Sequence, residues 1–350
     1  MELLFSKNPI LRSLGNRSIE DFYGNCVERA DILNIATGFI TNDSIAELSR
    51  ILSFHDFRFS VNLLIGMHFI NGFTELQYNS IRRLNEILHD RQAGNIYLST
   101  NALFHGKMYS FMKGNECIGA FLGSSNLGSF VGTSHDMIEA DAVFEANEAY
   151  GLNQKILQII DILGTPFADA PEVTKFDAPE QEIFTDNPFV KKRTDGETEL
   201  YKRNRSGIVF RIPLKAEPKS HLNTYFGAGK VKGRFSRRDW YEVELILSKK
   251  LPNRDILPWI YDGGKKQHCV FDVITEDGYE FTCSCQGDFG KNLRSSNDLR
   301  VLGRWIKGHM ENVGALNVGE PITEEILQRF GHTALLLQKT SDDKWFLSFE

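Results

Sequence analysis

Residues 104–126 read FHGKMYSFMKGNECIGAFLGSSN. Two apolar runs flank the turn formers Gly114 and Asn115, a pattern that predicts a pair of strands at 107–111 and 117–122 joined by a hairpin turn around 113–116. His105 and Lys107 are two positions apart at the start of the first strand. Side chains alternate along an extended chain, so an imidazole and an ammonium at this spacing share one face. Both can then reach one phosphate. The second strand ends in Gly123-Ser124-Ser125-Asn126, a turn of small residues whose hydroxyl and carboxamide can approach the same phosphate closely. Taken singly, a histidine is most often structural and Gly-Ser-Ser-Asn is most often a plain turn. Together, in this order and at strand ends, they specify a phosphoryl site.

His-x-Lys followed by Gly-Ser-x-Asn resembles the half-site of the phospholipase D superfamily. The resemblance implies phosphodiester cleavage through a covalent phosphohistidine, without a divalent metal. It implies His105 as nucleophile, Lys107, Ser124 and Asn126 on the non-bridging oxygens, and Glu139 as the acid that orients the histidine, with Asp136 and Asp141 as neighbouring alternatives. Superfamily members usually carry Asp five residues after the Lys. Here that position is Met112, which places the chain with a subgroup that includes restriction endonucleases.

The surrounding sequence alternates strand and helix signals: strands at 32–40, 57–67 and 96–98, and helices at 43–52, 71–88 and 152–163. The helix at 43 starts after Thr41-Asn42, residues suited to an N-cap. An α/β domain follows, a mixed sheet flanked by helices over 1–165. Residues 166–190 are acidic and proline-rich and read as a solvated inter-domain linker. Beyond 191 the pattern changes to short strands at 207–214, 240–247, 269–274, 279–284, 299–306, 334–340 and 345–349, which predict a small β-barrel.

The 350 residues carry a formal net charge of −6, yet the charge is unevenly distributed. Residues 201–250 hold thirteen Lys or Arg against four acids. A local excess of this size is the footprint of a polyanion-binding surface. Within the predicted barrel, two polar, basic loops at 221–238 and 286–298 mix cations for phosphates with Arg, Asn and Gln for base edges. Their placement resembles the two DNA-clamping arms of plant B3-like domains. The candidates on the first arm are Asn223, Lys230, Lys232, Arg234, Arg237 and Arg238. On the second they are Gln286, Asp288, Lys291, Asn292 and Arg294.

Five scattered cysteines, Cys26, Cys117, Cys269, Cys283 and Cys285, do not form a secreted disulfide framework. His268-Cys269 with Cys283-x-Cys285 lacks the spacing of a zinc knuckle, and both segments read as core strands. No apolar run reaches the ~18 residues of a membrane span and no signal-peptide pattern is present, so a cytoplasmic protein without bound metal is expected.

A phospholipase-D-like half followed by a B3-like half resembles restriction endonucleases of the NgoFVII and BfiI type. This implies site-specific double-stranded DNA cleavage of type II character. Only one His-x-Lys occurs in the chain, whereas superfamily enzymes use two. Two protomers are therefore expected to pair through the N-terminal domain and build one composite site. Three other readings are a lipid or other phosphodiester hydrolase, a non-catalytic DNA-binding regulator, and a nuclease subunit of an ATP-dependent restriction complex. The last would take ATP only through a helicase-like partner, since the chain has no Walker-type loop.

Overall fold

The computed structural model describes residues 1–8, 10–11, 17–55, 59–131, 138–177, 183–184, 187–227, 230–231, 234–235, 238–248, 256, 260–262, 265–267, 270–287, 290–341 and 344–350. The chain divides into two compact units, Met1–Glu180 and Gln181–Glu350.

The first unit contains β1 (Glu2–Phe5), α1 (Ile19–Arg29), β2 (Ile32–Thr37), α2 (Asn42–Phe54), β3 (Ser60–Ile65), α3 (His68–Asn71), α4 (Glu75–Arg91), β4 (Gly94–Ser99), β5 (Lys107–Lys113), β6 (Glu116–Gly123), β7 (Ala140–Phe144), α5 (Ala146–Leu163) and β8 (Gly164–Pro166). Its eight strands form one mixed sheet in the order β1-β7-β6-β5-β2-β3-β4-β8. The centre is apolar on both faces. Leu33, Ile35, Leu63, Tyr109, Phe111 and Phe121 face α1, α2 and α4, while Ala36, Leu64, Met112 and Ala120 pack in one cluster with Ile156 of α5.

Sequence signals account for most of these elements. Thr41 caps α2 and forms a reciprocal capping box with Ser44, which satisfies two otherwise orphaned backbone donors. The β5–β6 hairpin closes at Gly114, whose φ of 56° suits glycine. A register shift between Phe111 and Met112 takes up an extra residue.

Met112 has a physical reason in this frame. It is buried with Ala36 and Leu64 in a cluster that includes Ile156 of α5. Five residues of extended chain separate it from Lys107 by ~17 Å, so this position belongs to the core at the far end of the strand.

Of the expected spacer, 166–190, residues 166–177 are part of the first unit. β8 pairs with β4, Phe167, Ala170 and Val173 pack on the core, and Phe176 meets Tyr78. These apolar anchors outweigh the prolines and acids around them.

The second unit contains β9 (Lys191–Lys192), α6 (Asp195–Arg203), β10 (Arg205–Pro213), β11 (Lys230–Val231), β12 (Arg234–Phe235), β13 (Leu245–Ile246), β14 (Ile260–Asp262), β15 (Lys265–Gln267), β16 (Val270–Thr275), β17 (Tyr279–Gln286), β18 (Asn292–Ser295), α7 (Val301–Asn312), α8 (Glu324–Phe330), β19 (Ala334–Thr340) and β20 (Trp345–Phe349). Its main sheet runs β10-β19-β20-β16-β17-β18-β13, with β9 beside β17, and curls into a half-barrel. The predicted strand at 299–306 is instead the start of α7. Val301, Leu302, Trp305, Ile306 and Met310 are all buried, a spacing that fits one helical face better than alternation.

Candidate active site and DNA-reading surface

Five strands of the first unit bring their ends to one edge of the sheet. Thr37, at the end of β2, pairs with Lys107, the first residue of β5. Gly123, at the end of β6, pairs with Asp141 of β7. The loop carrying His105 is fastened to the end of β3, where the Phe104 amide donates to the Gly66 carbonyl at 3.0 Å. A Cβ at Gly66 would lie 2.0 Å from the Phe104 oxygen, so only glycine permits this approach.

His105 is exposed and Lys107 is buried. The Lys107 ammonium donates to the His105 carbonyl at 2.8 Å and stands 3.1 and 3.3 Å from the two ring nitrogens. Burial lowers the Lys107 pKa, and the negative charge of Glu139 acts against that shift. The cation and the imidazole are thus held together at the mouth of the site. Phe39 meets the His105 ring edge-on at 5.5 Å and meets His68 in the same manner.

The turn after β6 is anchored from beneath. Ser125 is buried; its amide and hydroxyl donate to Asp141 at 3.2 and 2.5 Å, and its carbonyl accepts from the Tyr109 hydroxyl at 3.0 Å. Its neighbours consequently face the other way. Ser124 is exposed and donates to Glu139 Oε2 at 2.5 Å. The Asn126 carboxamide oxygen accepts from the Phe39 amide at 3.3 Å and the Thr37 hydroxyl at 3.4 Å, which presents its Nδ2 donors to a ligand.

Glu139 and Asp141 are clearly different. Glu139 is half-buried at the site, accepting from Ser124 and, at 3.2 Å, from Ser129. Among the described residues it makes no hydrogen bond to His105. Asp141 is fully buried, and burial raises its pKa against the lowering effect of Ser125. Asp136 lies outside the described residues.

His68 and Phe39 carry no signal in the sequence. His68 is buried, accepts from the Ile40 amide at 3.2 Å through Nε2, and lies 3.2 Å from the Gly72 carbonyl through Nδ1. These two bonds fix a neutral tautomer with the proton on Nδ1. Burial lowers the His68 pKa, in keeping with that state.

In the second unit, β13 follows the first predicted arm and pairs with β18 in the second. Among the described residues, the end of the first arm at Arg238 and β18 of the second arm meet at Glu244. Glu244 Oε1 lies 3.3 Å from Arg238 Nη1 and 3.2 Å from Arg294 Nη1. Gln286 accepts from Arg294 and donates to Ser284 at 3.0 Å. Gln286 and Asn292 are cross-strand partners, next to half-exposed Lys291.

Asn223 is corrected by the structure. It is buried, with its Nδ2 donating to the Ile322 carbonyl at 2.8 Å and its Oδ1 accepting from the Ile322 amide at 2.9 Å. A carboxamide satisfied at both ends in the interior is a brace, not a base reader. Lys230 and Arg234 lie on the paired strands β11 and β12. Lys232, Arg237 and Asp288 lie outside the described residues, as do His268 and Cys269. Cys283 and Cys285 are buried, and burial raises the Cys283 thiol pKa far above its usual value.

A family model described as the NgoFVII restriction endonuclease N-terminal PLD domain matches residues 17–163. A second, the NgoFVII C-terminal B3-like DNA-binding domain, matches residues 200–341. No curated protein matches the chain. Among solved structures, the chain is similar to a phospholipase D family member, Nuc from Salmonella typhimurium. That match has 16% identity, covers 47% of this chain and 97% of that one, and has a TM-score of 0.32. It is also similar to TrmBL2, an archaeal chromatin protein, at 10% identity over 46% of this chain and 53% of that one, with a TM-score of 0.28.

Proposed function

Since this chain belongs to the NgoFVII restriction endonuclease family, with a phospholipase-D-like nuclease domain followed by a B3-like DNA-binding domain, we propose that it hydrolyses double-stranded DNA at a specific site through a phosphohistidine on His105. The observation that carries the reading is the meeting of His105, Lys107, Ser124, Asn126 and Glu139 at one edge of the sheet.

A ring nitrogen of His105 attacks phosphorus, a N–P bond forms, and the bond to the leaving deoxyribose oxygen breaks. The leaving oxygen takes a proton from His105 of a second copy, acting as general acid. Water then attacks the phosphohistidine and that second imidazole accepts its proton, which returns both histidines to their starting states. Lys107 and the Asn126 Nδ2 group face the non-bridging oxygens and stabilise the charge that grows on them in the transition state. Ser124 holds Glu139, whose negative charge opposes the lowering of the Lys107 pKa by burial. None of these steps draws on a divalent metal.

One His-x-Lys per chain leaves a single half-site per protomer, so the reaction belongs to a homodimer. A surface feature supports the pairing. On the α5 face, Met108, Leu122, Ala142 and Leu3 form a cross-strand row one residue from Lys107, Gly123 and Asp141. Leu122 is 39% exposed and Leu3 58%. An apolar row open to solvent beside a half-site suits a second copy. One composite site then cuts the two strands in turn.

The test is cleavage of a mixed-sequence plasmid library in EDTA by the wild type and by His105→Ala, with denaturing gels of the wild type on end-labelled DNA. Discrete fragments and an acid-labile protein–DNA adduct from the wild type alone are expected. Equal cleavage by both proteins, or cleavage only with added divalent metal, would reject the mechanism.

A further inference from the structure

Resting on the DNA-recognition reading, we infer that Arg238 is a guanine-reading residue and that Glu244 and Arg294 are the positioning residues that aim it. The two arginines are equivalent candidates in sequence. In the structure they differ.

Arg294 is tied down on several sides. Its Nη1 meets Glu244 at 3.2 Å and its Nη2 donates to Gln286. Its Nε is enclosed with no hydrogen-bond partner among the described residues. A guanidinium held at both terminal nitrogens, with the third nitrogen closed off from solvent, presents no edge to a groove. It acts as a strut between β18 and the segment leading into β13.

Arg238 is held differently. Both of its ion pairs run from Nη1, to Glu242 at 2.9 Å and to Glu244 at 3.3 Å. No described residue pairs with the Nη2–Nε edge, and the side chain is 30% exposed. Guanidinium is planar, so fixing Nη1 against two carboxylates fixes the direction of the remaining edge. Two parallel N–H groups in that orientation match the O6 and N7 acceptors of guanine. Glu244 sets this aim, because its carboxylate is shared between the reader on the first arm and the strut on the second. Gln286 continues the frame by bonding Arg294 and Ser284.

The same geometry separates aim from affinity. A phosphate contact needs only positive charge near the backbone, and Glu244 opposes it. Losing Glu244 therefore removes discrimination while leaving or strengthening general DNA affinity.

The experiment is a binding selection by the full chain, in the His105→Ala background that keeps DNA intact, on a double-stranded oligonucleotide library with a randomised core. The parent should enrich a site with guanine at a position where Arg238→Ala loses about 10- to 100-fold of the preference. Glu244→Gln should weaken the preference at that same position while keeping affinity for random DNA. Arg238→Ala combined with Glu244→Gln should be no worse there than Arg238→Ala alone, a coupling that general destabilisation would not produce. An unchanged selected site in Arg238→Ala, or an even loss across all positions in Glu244→Gln, overturns the inference and leaves the DNA-recognition reading standing. If the parent itself enriches no sequence, that reading falls and the inference falls with it.

Discussion

Asp141 accepts both the amide and the hydroxyl of Ser125, at 3.2 and 2.5 Å, and among the described residues makes no side-chain hydrogen bond to one proposed to contact DNA. Its carboxylate holds the middle of the Ser124–Asn126 turn, so the residues on either side project outward. Asp141→Ala leaves a buried amide and hydroxyl unpaired, at a cost of roughly 2–3 kcal/mol. Denaturant unfolding should report that loss. DNA cleavage by the variant, measured where it remains folded, should fall as well, because the turn loses its anchor. Full cleavage activity in a folded Asp141→Ala protein would show that the turn keeps its shape unaided.

Lys107→Met separates stability from activity. The ammonium is buried and its pKa is lowered by that burial, so removing the charge also removes a desolvation penalty. The melting temperature should hold or rise. Cleavage should drop by about 100-fold or more, as expected when a transition-state cation is lost. A variant that melts early and retains its activity would reverse both assignments.

Asn223→Ala distinguishes a brace from a base reader. Loss of the carboxamide strands both polar groups of Ile322 in the interior, which costs about 1–3 kcal/mol. The expected result is a lower unfolding midpoint with the selected DNA site unchanged. A shifted base preference without loss of stability would return Asn223 to the recognition surface.

Lys307 gives the second unit a pH dependence. It is fully buried, donates to the Trp240 carbonyl and lies 3.9 Å from the centre of the Trp240 ring. Burial pulls its pKa down from 10.5 to about 7. The unfolded chain therefore binds the proton more tightly than the folded one between these values, and stability rises with pH from about 7 to 10.5. Glu311, whose pKa is raised by burial, acts in the opposite direction at lower pH. Urea midpoints at pH 7 and 9.5 should differ more in the wild type than in Lys307→Met. Equal slopes would remove Lys307 as the cause.

Much of this arrangement is legible in the sequence because its signals are local. Alternation across 107–122, the Thr41 cap and the turn at Gly114 are each written within a few residues. Long-range pairings are not. Nothing near Asn223 reveals that it braces Ile322, 99 positions later, and nothing near Phe39 shows that it touches two histidines. β1, α1 and β7 lie in stretches to which the sequence reading assigns no element, although Ser18 and the buried Ile19, Phe22, Tyr23, Cys26 and Val27 have helical spacing. α7 was hidden because Leu299, Val301 and Trp305 fall at alternate positions, as a strand would place them, and only Met310 beyond that window extends the helical spacing.

The assembly of the site from separate strand ends has a consequence for the cell that makes the protein. His105 and Lys107 leave the ribosome well before Glu139 and Asp141, and β1, at the start of the chain, pairs with β7 at residues 140–143. Contacts spanning such distances form late in folding. A growing chain therefore carries His105, the proposed nucleophile, before the turn anchor and the carboxylate exist beside it, and the proposed site is complete only once β1 has closed on β7.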